Sequence, residues 1–167
     1  MALQLIEIAD VTVASPVTSV TFSSIPQGYT DLKLVASVRS NRAAQEDGFG
    51  VAPNGAGSGY TYRVLSGNGS GASSNNTSFE QIWAVRVNGN SSTGNTFASV
   101  DVYFPNYTGS SSKSYSADAV TENNGTEAWA TLSAILQSST SAITSLTVQT
   151  INGTVATNST FTLYGVL

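Results

Sequence analysis

Apolar and polar residues alternate with a period of two along most of this chain, the spacing of half-buried β-strands. Leu32, Leu34, Ala36 and Val38 fall on one side of an extended run, with Lys33, Ser37 and Arg39 on the other. The same spacing predicts strands over 3–13, 20–22, 49–51, 60–64, 79–87, 98–104, 115–119, 128–136, 143–148 and 161–165. No window sustains a helical period. Turn signals punctuate the runs: Pro53-Asn54-Gly55, Asn88-Gly89, Pro105-Asn106, Asn123-Asn124-Gly125 and Asn152-Gly153. The last of these predicts a type I′ hairpin centred on Asn152-Gly153. Residues 66–78 hold almost nothing to bury and predict a long surface loop within one domain. Ala128, Ala130, Leu132, Ala134 and Leu136 predict a core face, with Trp129, Thr131 and Ser133 opposite. Short strands with irregular spacing and several connections longer than hairpins indicate an all-β fold. The expected form is a single antiparallel β-sandwich of jelly-roll or Greek-key type, with about 8–10 strands. One domain over 1–167, opening with a strand or arm over 1–14, is expected.

Composition sharpens this. Charged residues make up 10% of the 167 positions, well below the roughly 25% of typical soluble domains. Solubility therefore rests on Ser, Thr, Asn and Gly between the apolar positions. The net charge is −4 and the six basic residues are scattered, so no cluster exists to displace counterions from a nucleic acid. The chain has no cysteine and no histidine. That excludes a Ser-His-Asp triad, a cysteine nucleophile and His/Cys metal sites. No apolar run reaches the roughly 20 residues of a membrane span. The first residues lack the basic region and apolar core of a signal peptide, so synthesis in a cytoplasm is expected.

Carboxylates remain as possible chemistry. Glu80 and Asp101 lie in predicted strands and would have to face each other to hydrolyse a glycosidic bond; solvated outward positions are the plainer reading. Glu46-Asp47-Gly48 offers oxygens for calcium, although EF-hand spacing is absent and a capped turn is the plainer account. Arg39-Ser40-Asn41-Arg42 suits an anion, a partner or a local ion-paired loop. Trp83 shares its predicted face with Phe79, Val85 and Val87, a core arrangement. Trp129, on the polar side of its strand, fits a sugar platform, an interface anchor or a strand covered on both faces. No catalytic, cofactor or metal-ligand set is expected.

Two stretches resemble a known family. Phe-Ser-Ser-Ile-Pro-Gln-Gly-Tyr-Thr-Asp-Leu-Lys-Leu-Val at 22–35 and Ser-Thr-Phe-Thr-Leu-Tyr-Gly-Val-Leu at 159–167 are similar to small virion proteins of tailed bacteriophages. In these, a corner of the form I-P-x-x-Y-x-D-L and a closing S-x-F-x-L-Y-G frame a Ser/Gly/Asn-rich β-domain. The resemblance implies a non-enzymatic virion structural protein. The chain shows no heptads, repeats or collagen-like triplets, which favours a capsid decoration (cement) protein bound where capsomers meet. Its partners would be the major capsid protein and copies of itself, without nucleic acid or membrane. The alternative is a tail-fibre or receptor-binding module that recognises host carbohydrate. Under the first reading Leu3 and Leu5, in an N-terminal strand able to pair with a neighbour, are interface candidates, together with Arg39, Arg42 and Trp129.

Overall fold

The computed structural model describes residues 4–77, 83–125 and 127–167. Twelve strands and no helix run among them. They are β1 (Leu5–Thr12), β2 (Val20–Phe22), β3 (Asp31–Val38), β4 (Glu46–Pro53), β5 (Tyr60–Gly67) and β6 (Ala72–Thr77). β7 (Trp83–Asn88), β8 (Ala98–Phe104), β9 (Lys113–Val120), β10 (Ala130–Gln137), β11 (Leu146–Thr150) and β12 (Thr160–Val166) follow. An eight-stranded sheet runs β1-β12-β3-β8-β9-β10-β5-β6 and a four-stranded sheet runs β2-β11-β4-β7. Every strand pair is antiparallel. Only β5-β6, β8-β9 and β9-β10 connect neighbours within one sheet. The other connections change sheets, so the chain builds a β-sandwich and not an up-and-down barrel.

The alternation of β3 is realised: Leu32, Leu34, Ala36 and Val38 are buried. They join Val100, Val102, Phe161 and Leu163 beneath Phe49, Val51, Leu146 and Val148 of the smaller sheet in one core. The Phe49 and Phe161 rings stack across the two sheets with centroids 6.2 Å apart.

The corner before β3 is tied to three distant segments. Gln27 Nε2 donates to the carbonyls of Ile25 and Ile143, and the Tyr107 hydroxyl donates to Pro26. Asp31 accepts the Tyr103 hydroxyl and, at 2.7 Å, the Asn106 amide. The Tyr29 ring lies flat on β12: a Cβ on Gly165 would sit 2.3 Å from it. The two stretches that carry the family resemblance therefore meet each other.

Four expectations are corrected. Residues 66–78 are not one loop. After a turn at 68–71, with Gly69 at φ 82°, Ala72–Thr77 pairs with β5 as an edge strand. An edge strand needs only backbone partners, so its lack of apolar residues concealed it. With β6 the described residues hold twelve strands, more than the 8–10 expected. Asn152-Gly153 makes no hairpin. Neither residue has the positive φ that a type I′ turn requires, and the chain there crosses from β11 in one sheet to β12 in the other.

β10 is turned over. Thr131, Ser133, Ile135 and Gln137 are buried, while Leu132 and Leu136 are exposed. Ser133 explains the choice: its hydroxyl donates to the Ala84 carbonyl of β7 at 2.5 Å. A small side chain lets that backbone approach, where a leucine would hold it off. Trp83 is the fourth. β4 pairs Phe49 with Val85 but Gly50 with Trp83, so β7 bulges at Ala84. A bulge reverses the side-chain parity, and Trp83 falls on the side of Arg86 instead of that of Val85 and Val87. Phe79 and Glu80 lie outside the described residues.

Candidate functional site

The seam where β4 and β7 face β5 and β6 opens into a cleft of about 500 Å3. Trp83 and Tyr62 line it, rings edge to face at 6.4 Å. Glycine at 48 is required by this packing, because a Cβ there would meet the Trp83 indole at 2.7–2.9 Å. Arg42, Glu46, Val64, Ser66, Asn75, Arg86, Ile151 and Asn152 complete the lining.

A ladder of charge stands at this seam. Arg86 forms an ion pair with Glu46, and its guanidinium lies 4.5 Å over the Trp129 ring, a cation–π contact. Arg42 Nη1 donates to the Glu46 carbonyl at 3.1 Å and lies 3.8 Å from Asp47 Oδ1. Burial pushes the Glu46 carboxyl above its ordinary range, and neighbouring Glu127 adds to this while Arg86 and Arg42 oppose it. Beneath the ladder Asp47, 1% exposed, gathers the 152–153 crossover. It accepts the Ser40 hydroxyl at 2.6 Å, the Asn152 amide at 3.1 Å, Asn152 Nδ2 at 3.0 Å and the Gly153 amide at 2.9 Å. The carboxylate considered for calcium is thus occupied as a loop clamp.

The interface candidates scatter. Leu3 lies outside the described residues. Leu5 is exposed on β1, which pairs with β12 of its own sheet and is an edge strand. That strand is bulged between Glu7 and Ala9 and carries Glu7 and Asp10, features that discourage pairing with another edge. Arg39 is withdrawn from the surface, a correction. It is 8% exposed, and its guanidinium donates to the carbonyls of Asn90, Ser92, Thr93 and Thr96 and to the Thr96 hydroxyl. A fork of five N–H donors suits this cage of carbonyls, so Arg39 organises the β7–β8 loop. Trp129, just ahead of β10, is half-buried under Arg86 and not on a free polar face. Among the described candidates, Arg42 alone reaches the cleft.

Asp101 forms a 2.6 Å ion pair with Lys33 and lies directly opposite Asp118. Burial, with Asp101 beside it, raises the Asp118 carboxyl above its ordinary range. Sequence reading paired Asp101 with Glu80 instead, because only the register of β8 against β9 reveals Asp118.

The face that sequence reading assigned to the core is the one left open. Leu132 of β10 stands directly opposite Leu65 of β5, and they are 53% and 55% exposed. Val120, opposite Ala130, and Leu136 extend the same outer surface. No protein-family model matches the chain, and no curated protein is significantly similar to it.

Proposed function

We propose that this chain is a non-enzymatic structural protein of a tailed-phage virion, a decoration protein that binds the head surface at capsomer junctions. The observation that carries the reading is the group of exposed apolar side chains Leu65, Val120, Leu132 and Leu136 on the outer face, where Asp118 lies opposite Leu132. Sandwich sheets ordinarily turn polar residues outward, and adjacent exposed leucines on a rigid sheet suit burial against another protein. The absence of histidine and cysteine and the use of Asp47 and Arg39 as loop clamps fit a role in adhesion. The resemblance of 22–35 and 159–167 to virion proteins supplies the setting.

Purified protein added to undecorated phage heads is expected to co-sediment with them. Each half-exposed leucine gains about 1 kcal/mol on full burial. The double substitution Leu65→Ser with Leu132→Ser therefore lowers affinity roughly 30-fold or more while leaving the β-sheet circular dichroism intact. Failure to bind heads, with the protein found only in tails, overturns the reading.

A further inference from the structure

The cleft at the sheet seam shares no side chain with the apolar outer face apart from their common strand β5, and its chemistry is different. At about 500 Å3 it falls in the range of small-ligand sites. Its charges cancel locally: Arg86 is paired with Glu46, and Arg42 lies against Asp47. Such a lip offers little net attraction to a phosphate, sulfate or carboxylate group. Besides the Glu46 carboxylate and the Ser66 hydroxyl, the polar groups that line it are planar amides and guanidiniums, from Asn75, Asn152, Arg42 and Arg86. Planar forks present donors and acceptors at fixed spacing, which matches neighbouring hydroxyls on a ring. The wall beside them is aromatic, and Trp83 is held in place by Gly48 beneath it and Tyr62 at its edge. A ring so held loses little freedom when a ligand packs on it.

A neutral pyranose has the complementary surface, an apolar C–H face and a rim of vicinal hydroxyls. We propose that this cleft binds a neutral saccharide, with Trp83 as the apolar wall and Asn75, Asn152 and Arg42 hydrogen-bonding the hydroxyls. The site stands independently of head binding, so one activity can fail while the other persists.

The test presents the full chain to an array of neutral oligosaccharides and of sialylated and sulfated ones, then titrates tryptophan emission with the strongest neutral ligand. Binding to neutral glycans with a change in emission is expected. Asn75→Ala and Arg42→Ala should each weaken it at least fivefold, with circular dichroism unchanged. Three results overturn the proposal: no glycan bound by the folded chain, binding confined to acidic glycans, or affinity indifferent to both substitutions.

Discussion

Gly165 and Tyr29 show how much a single position can depend on a distant one. The glycine sits next to the last residue of β12, where it costs stability for want of a side chain, yet the Tyr29 ring occupies the space a Cβ would need. Gly165→Ala is expected to push Tyr29 off the corner and destabilise the protein by about 1–3 kcal/mol, read as a lower urea midpoint with unchanged slope. Tyr29→Ala in the same background should recover part of the loss, since the clash is then gone. The corner was legible in Ile25-Pro26-Gln27-Gly28-Tyr29, but its partner was not: the contact spans most of the chain and leaves no local trace. Arg39 follows the same logic. Its place at the end of an alternating strand suggested a solvent-facing charge, and only the folded loop at 90–96 supplies the carbonyls that bury it.

At the scale of the element, β10 carries the main lesson. Period-two alternation identified the strand, but alternation defines two faces without saying which is inside. The more apolar face was the natural choice and the wrong one. The close approach of β7 favours Ser133 inward, where its hydroxyl is satisfied by Ala84. Ser133→Leu is therefore expected to destabilise by about 1–3 kcal/mol through overpacking. Leu136→Ser, on the open face, should change stability by no more than about 0.5 kcal/mol. Thermal unfolding of the two variants beside the parent decides the orientation. β6 was missed for a related reason: an edge strand is specified by the backbone of its neighbour, which composition does not record.

Across the whole molecule, two sheets of unequal size close one core and leave a seam open beside β5 and β6. Tyr60, Tyr62 and Tyr115 are buried around the core and its aromatic contacts. Burial raises all three phenols, Tyr60 to about 12 and Tyr62 and Tyr115 above their ordinary value. A group raised on folding adds stability that is fully present below its unfolded value, near 10 for tyrosine. That stability is lost as pH rises through the folded value. Absorbance at about 295 nm should thus show these phenols ionising together with the loss of β-sheet circular dichroism at strongly alkaline pH. Their titration near pH 10 in a protein that stays folded would contradict the packing.

The sequence by itself determined the all-β class, the position of most strands, the turn-rich connections and the lack of histidine and cysteine chemistry. These follow from local periodicity and composition, which short stretches of chain carry without reference to their partners. Only the tertiary structure decided which face of β10 is buried, that the two motif stretches touch, that Arg39 is a loop clamp and that Trp83 faces a cleft. Each of these depends on register and on contacts between strands remote in sequence, where a one-residue bulge reverses every side chain beyond it.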